Sequence, residues 1–206
     1  MFHIDDYLMD TVNIIDNLNR FSIRNVKESI IEVKKNKGRI FFLGVGGSAG
    51  NASHAVNDFR KIAGIECYCP TDNVSELTAR TNDDGWENVF FKWLEGSNLN
   101  SKDAIFILSV GGGDAEKKIS VNLINAINYA KRVKARVLGI VGRQEGYTAK
   151  NADDCIVIPA VESKLITPHT EGFQSVILHL LVTHPDILQN QMKWEGLPVM
   201  NIKGSK

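Results

Sequence analysis

The chain has 206 residues, of which 43% are hydrophobic, and its 24 basic and 24 acidic side chains give no formal net charge. This length fits one large domain or a domain with a helical extension. The balanced charge argues against a protein that binds nucleic acid or a membrane surface, for which a basic excess is typical. Neutrality also gives little electrostatic protection against self-association, which is compatible with a homo-oligomer.

Neither a targeting segment nor a membrane span is expected. The first residues have no basic segment followed by an apolar core, unlike a signal peptide. No run approaches 18 apolar residues. The odd cysteine number favours reduced thiols in or near the core of a cytoplasmic protein, for Cys67, Cys69 and Cys155 alike. Cys67 and Cys69 share one face of a predicted strand, which is only weak support for a metal-binding pair.

Two amphipathic helices are predicted before the first strand, over residues 3–19 and 22–36, because their apolar residues recur at helical spacing. Residues 1–37 therefore form a helical extension, which is a candidate oligomer interface or a cover for one face of the sheet.

Residues 38–186 alternate between strand and helix patterns and are predicted to form one α/β domain. Predicted strands lie at 40–43, 65–69, 104–109, 136–141 and 155–159, and predicted helices at 48–62, 74–81, 86–95, 115–133, 147–151 and 170–183. This alternation predicts a doubly wound, flavodoxin-like, five-stranded parallel sheet. Ligands of such sheets bind at the carboxyl ends of the strands. Residues 187–206 are expected to be a C-terminal tail.

Two glycine-rich loops follow predicted strands and are each expected at a helix N-terminus, where free N–H groups and the helix dipole favour an anion. Together they predict a phosphate or sugar site, with the candidates Gly46, Gly47 and Ser48 in the first loop and Ser109, Gly111, Gly112, Gly113 and Asp114 in the second. Alternatively, the glycines only allow tight turns, with Ser48 and Asp114 as N-caps. Neither loop has a nucleotide-binding fingerprint.

The Asp114 carboxylate would compete with a phosphate for the same N–H groups. It therefore caps its own segment, binds sugar hydroxyls, or leaves the phosphate mostly to the first loop.

Four side chains on two predicted helices could form a metal or catalytic centre. His54 and Asp58 are four residues apart and share a helix face, and Glu171 and His179 lie two turns apart on the last helix. Two imidazoles and two carboxylates suit a divalent metal such as zinc. The alternative is ordinary structural roles, although His179 lies in an apolar run and must be hydrogen-bonded or functional.

The order of these features resembles the sugar isomerase (SIS) domain family, and most closely the phosphoheptose isomerases. The resemblance rests on the first loop, His54 followed by an acid, the Asn82-Asp83-x-Gly85 turn, the second loop and the acid–histidine pair, and it spans about residues 5–184. It implies an isomerase that converts sedoheptulose 7-phosphate into a heptose 7-phosphate for bacterial lipopolysaccharide or capsule synthesis. It also implies a cytoplasmic homotetramer that contains a divalent metal, for which zinc is the expected ion.

The resemblance assigns roles to the candidate residues. The metal ligands would be His54, Asp58, Glu171 and His179. Catalysis would use Asp58 as base and His179 as acid, or Asp58 mainly as ligand while His179 moves the proton. The phosphate would be held by Ser48, Ser109 and the second-loop amides, and the substrate hydroxyls by Asn82, Asp83 and Asp114, with Glu171 also near the substrate.

The chain also departs from the family pattern. Val45 replaces an asparagine, Asp58 a glutamate and Glu171 a glutamine, and serines of the second loop give way to Gly111 and Asp114. These changes leave open another sugar-phosphate isomerase of the same fold, or a non-catalytic SIS protein that binds sugar phosphates or protein partners. A nucleotide-binding enzyme is the weakest alternative because the fingerprints are missing.

Overall fold

The structure is a computed structural model that describes residues 4–191. The strands are Ile40–Gly44 (β1), Cys67–Tyr68 (β2), Ala104–Ser109 (β3), Arg136–Val141 (β4) and Asp154–Val157 (β5). The helices α1 to α8 are, in order, Ile4–Asn17, Arg20–Lys35, Gly47–Lys61, Val74–Asp84, Val89–Gly96, Val121–Arg132, Tyr147–Asn151 and Ile166–Val182.

The five strands form one parallel sheet in the order β2-β1-β3-β4-β5, which confirms the predicted doubly wound α/β fold. The strand order reverses between β1 and β3, so a crevice opens beyond the carboxyl ends of these two strands. Both strands are buried throughout, as continuous apolar runs in a sheet covered on both faces should be.

The core has two halves, one on each face of the sheet. Adjacent β1 residues point to opposite faces. Phe42 faces the half built with α2, α3 and α8, where its ring lies 5.2 Å from that of Phe59. Phe41 faces the half built with α5 and α6, where its ring meets Trp93 edge-on at 5.6 Å. The half that contains Phe42 therefore places α3 and α8 on the same face of the sheet.

The two N-terminal helices differ in how they are used. Helix α2 buries Val26, Ile30 and Val33 in the core, whereas α1 buries only Ile14 of its own residues. Both predicted amphipathic helices are therefore present. Among residues 4–191, no helix combines the length and the apolar character needed to cross a bilayer. The end of the predicted tail, residues 192–206, lies outside the described residues.

The predicted helix over residues 115–133 begins later, at Val121, and the prediction that the second glycine loop leads directly into a helix was wrong. Asp114 and Ile119 instead exchange two backbone hydrogen bonds of 3.0 Å. The Asp114 carboxylate also accepts hydrogen bonds from the N–H groups two and three residues ahead. Lys118 and Ser120 have positive φ values of 54° and 51°, which a helix does not allow.

Several further boundaries differ from the prediction, including the start of α5 at Val89 instead of residue 86, and two of them have a clear physical reason. Strand β2 has only two residues, because the N–H of Ile65 bonds to the carbonyl of Phe59 at the end of α3 rather than to the neighbouring strand. Helix α8 begins at Ile166, earlier than predicted, and includes Pro168 in its first turn, where proline sacrifices no intrahelical hydrogen bond.

All three cysteines are free thiols, with Cys67 and Cys69 buried and Cys155 half-buried. Burial raises the pKa of the Cys155 thiol to about 12, and burial likewise raises the pKa values of Cys67 and Cys69. A group of potential metal ligands that includes any of them is not found within residues 4–191.

We expect an aromatic disulfide reagent to react slowly with the native protein at pH 8, because a raised pKa leaves little of the reactive thiolate. In denaturant the same assay should release colour equivalent to 3 thiols per chain. Rapid reaction of one full equivalent with the native protein would contradict the buried placement.

Candidate active site

Three of the predicted functional side chains meet between α3 and α8. The Nε2 atoms of His54 and His179 lie 3.0 Å apart. The Oδ2 atom of Asp58 lies 3.1 Å from Nε2 of His54 and 3.4 Å from Nε2 of His179. The two helices of one chain therefore bring together both histidines and the aspartate, a juxtaposition that sequence spacing within either helix could not establish.

Small side chains and one amide hold α3 and α8 in this arrangement. Ala52 and Ala55 are buried on α3 and allow a close approach of the neighbouring helix. The Nδ2 atom of Asn51 donates to the backbone oxygen of Glu171 at 2.9 Å and to Oε1 of the fully buried Gln174 at 3.0 Å. Because both acceptors lie on α8, Asn51 ties the two helices together one turn before His54.

The chemistry and spacing of the three donor atoms fit a divalent metal. In a tetrahedral site with ligand bonds of about 2.0–2.1 Å, neighbouring ligand atoms are separated by roughly 3.3 Å. The separations of 3.0, 3.1 and 3.4 Å among His54, Asp58 and His179 match this spacing. The two histidine side chains are each 52% exposed, so a further ligand can approach from solvent, as in catalytic rather than structural sites.

The fourth predicted ligand, Glu171, does not join this group in the described structure. Its carboxylate lies against Gly47, where an added methyl group would overlap it. Two helical turns separate Glu171 from His179, a rise of about 12 Å along the helix axis. Glu171 therefore faces the positive end of α3, and its assignment as a metal ligand stays a prediction.

The other predicted residues before the second loop lie at the start of α3 and at the end of α4. Ser48 is buried in the first turn of α3, and the preceding Gly46 has a φ of 63° that suits glycine. Asn82 and Asp83 lie in the last turn of α4 and hydrogen-bond to each other at 2.7 Å. Their roles in substrate binding remain predictions.

The second glycine loop keeps its hydrogen-bonding capacity although it precedes a turn instead of a helix. The Oγ atom of Ser109 accepts a hydrogen bond from the N–H of Gly112 at 3.0 Å. Asp114 caps its own turn, and a hydrogen bond from the N–H of Lys117 is the main cause of the lowered pKa of its carboxyl group. Of the three roles considered for Asp114, this geometry favours capping, which leaves the N–H groups of the glycines free of its carboxylate.

Asn57 is a part of the site that sequence spacing did not indicate. Its Nδ2 atom donates to Oδ1 of Asp58 at 3.0 Å. This hydrogen bond leaves the other oxygen, Oδ2, directed at the two histidines. Hydrogen bonds of this kind fix the orientation of a ligand or base. Sequence gave no signal for it, because asparagine beside an acid is common on exposed helix faces.

We expect Asn57→Ala to lower kcat/KM about tenfold by loosening the Asp58 carboxylate, since residues that orient ligands typically contribute 10–100-fold. Lys61→Ala, a change of another exposed residue on the same helix, is the matched control. Steady-state kinetics would give kcat/KM of both variants, and titration with the metal would give their metal affinity. Equal rates for Asn57→Ala and Lys61→Ala would show that the hydrogen bond does not matter.

The chain is similar in sequence to proteins that are already known. No protein-family model matches it. It is 30% identical over 164 residues to a phosphoheptose isomerase of Aneurinibacillus thermoaerophilus, covering 77% of each chain. It is 29% identical over 202 residues to that of Sulfurimonas denitrificans, covering 95% of this chain and 93% of the relative.

Several solved structures have the same fold as this chain. Phosphoheptose isomerase GmhA from Neisseria gonorrhoeae superposes with a TM-score of 0.75 at 21% identity, covering 87% of this chain and 94% of that one. A phosphoheptose isomerase from Francisella tularensis gives the same TM-score and coverage at 18% identity. The fold is that of a sugar isomerase (SIS) domain. The chain belongs to the phosphoheptose isomerase family.

Proposed function

We propose that the protein is an aldose–ketose isomerase that converts sedoheptulose 7-phosphate into a heptose 7-phosphate for bacterial surface-polysaccharide synthesis. The observation that carries the proposal is the convergence of Asp58 Oδ2 with the two histidine Nε2 atoms in a chain of this family. One acidic and two basic groups at an open surface meet the needs of proton transfer between neighbouring carbon atoms.

The isomerisation moves a proton between C1 and C2 through an enediol. In our proposal Asp58 takes the proton from one carbon at Oδ2 and returns it to the other. His179 donates a proton to the carbonyl oxygen and recovers one from the hydroxyl that becomes the new carbonyl. With Nε2 facing the metal, the proton is carried by the other ring nitrogen, Nδ1. Asn57 keeps Oδ1 of Asp58 turned away, so that Oδ2 is the oxygen that faces the reacting carbons.

His54, Asp58 and His179 would hold a divalent metal, which we propose to be zinc. When bound, the ion supplies Lewis-acid polarisation of the substrate oxygens and stabilises the charge of the enediolate. The donor set of two imidazoles and one carboxylate supports this choice, because zinc prefers nitrogen and oxygen ligands in an open three-residue site. Glu171 is retained as a candidate contact for the substrate or the metal.

We also propose a homotetramer in the cytoplasm. The helical extension supports association, since α1 exposes several large apolar side chains: Ile4, Leu8, Met9, Val12 and Ile15. Three free thiols are usual in a reducing compartment. Light scattering coupled to gel filtration would test the assembly, and a monomeric mass would contradict it.

The proposed reaction is tested by incubating the protein separately with sedoheptulose 7-phosphate, a ketopentose phosphate and a ketohexose phosphate, and resolving the products by chromatography. We expect an aldoheptose phosphate from the first substrate at a rate well above the other two. Preferred turnover of a pentose or hexose phosphate would replace this proposal by another isomerase of the same fold.

A second candidate function is a non-catalytic protein that senses sugar phosphates or bridges protein partners. The replacement of second-loop serines by Gly111 and Asp114 favours it. Metal analysis of the purified protein discriminates the two, because a sensor has no need for one metal ion per chain. Absence of both bound metal and turnover would favour the sensor.

A further inference from the structure

A cavity of about 490 Å³ lies where the second glycine loop, the turn over residues 114–119 and the connection from β4 to α7 meet. Gly111 and Gly113 line it from the loop, and Lys117 from the turn. Arg143 and Glu145 line it from the β4–α7 connection. The cavity is thus at the carboxyl edge of the sheet, where ligands of doubly wound folds bind.

Two backbone N–H groups of the glycine loop that lines this cavity are unpaired in the part of the chain that the structure describes. The carbonyl groups of Gly112 and Gly113 accept hydrogen bonds from the first residues of α7, and the N–H of Gly112 is taken by Ser109. The N–H groups of Gly111 and Gly113 have no hydrogen-bond partner within residues 4–191. Unpaired N–H groups in a glycine loop with positive φ values, here 71° and 87° at Gly112 and Gly113, form a common anion-binding arrangement.

Among the described residues that line the cavity, Arg143 is the cation whose charge is not paired. Lys117 is paired with Asp114, whose carboxylate lies 3.3 Å from its Nζ atom. The guanidinium group of the exposed Arg143 makes neither a hydrogen bond nor an ion pair with any of the described residues, and only its backbone carbonyl accepts a hydrogen bond, from the N–H of Gly146. Glu145 also lines the cavity, and its negative charge opposes an anion there. The net charge of the lining is therefore zero, and an anion must rely on the two N–H groups and Arg143.

We propose that Arg143 binds the phosphate group of the sugar substrate in this cavity, together with the N–H groups of Gly111 and Gly113. This inference rests on the proposed function for the identity of the ligand. A guanidinium group offers paired donors that match phosphate geometry and can replace the hydroxyl groups that Gly111 and Asp114 do not supply. Arg143 is thus a substrate-binding residue contributed by the loop after β4.

Substitutions of the two unpaired charges of the cavity, Arg143 and Glu145, are expected to have opposite effects on phosphate binding. Removal of the Arg143 charge should weaken phosphate binding, and removal of the Glu145 charge should strengthen it. Lys102→Gln is the matched control, because Lys102 is also exposed but lies at the amino end of β3, the opposite edge of the sheet.

Titration calorimetry with inorganic phosphate tests the inference directly on the metal-loaded protein. We expect Arg143→Gln to raise the Kd about tenfold or more, Arg143→Lys to raise it less, Glu145→Gln to lower it, and Lys102→Gln to leave it unchanged. No phosphate binding by the unmodified protein, or a Kd for Arg143→Gln within twofold of that protein, would overturn the inference.

Kinetics separate this inference from the proposed function. If sedoheptulose 7-phosphate is isomerised and Arg143→Gln raises its KM while kcat changes little, both stand. Isomerisation with an unchanged KM in Arg143→Gln refutes only the role of Arg143. Phosphate binding that depends on Arg143 in a protein without isomerase activity supports the cavity and refutes the proposed reaction.

Discussion

Asp58→Asn is expected to lower kcat/KM for sedoheptulose 7-phosphate by about 10²- to 10⁴-fold, the range typical of a lost general base. The amide has nearly the same shape as the carboxylate but cannot accept the proton, and it is a poorer metal ligand. Because Asp58 is largely buried beside two histidines, removal of its negative charge changes the centre of the site.

The control for this change is Asp84→Asn, which removes a carboxylate on α4 that is paired with Arg80 at 3.6 Å. Rates would be measured at saturating and low substrate, with thermal unfolding to verify that both variants fold. Full activity of Asp58→Asn would exclude Asp58 as base.

His179→Ala is expected to lose both the metal and nearly all turnover, again by about 10²- to 10⁴-fold. Its Nε2 atom is one of the three donors of the cluster, and the side chain is half exposed, so truncation should leave α8 folded. His184→Ala removes a histidine just beyond the same helix, whose ring instead lies 3.6 Å from Asp186.

Atomic emission spectroscopy after dialysis would give the metal content of both histidine variants. The isomerase assay would give their rates. We expect His184→Ala to match the unmodified protein in both measurements. A His179→Ala protein that keeps its metal and its rate would show that the cluster is not the catalytic centre.

The sheet could be predicted from sequence because its strands are continuous apolar runs separated by helices, as residues 104–109 illustrate. Asp114 shows why the start of α6 could not be predicted. Its carboxylate accepts hydrogen bonds from nearby N–H groups and closes a turn. The spacing of apolar residues does not reveal this local competition between side chain and backbone.

The candidate site was predictable only in part. The pairing of His54 with Asp58 follows from helical spacing, but their contact with His179 depends on how α3 and α8 pack. The position of Glu171 beside Gly47 likewise depends on that packing. Arg143 carries no sequence signal, because only the folding of three separate loops brings it to a cavity with the glycine amides.

Metal dependence of the isomerisation is the most direct test of the His54, Asp58 and His179 centre. The protein would be incubated with sedoheptulose 7-phosphate before chelation, after chelation and dialysis, and after addition of one equivalent of zinc. We predict formation of the aldoheptose phosphate in the first sample, its loss in the second and its return in the third. Undiminished turnover by protein shown to contain no metal would contradict the proposed role of this centre.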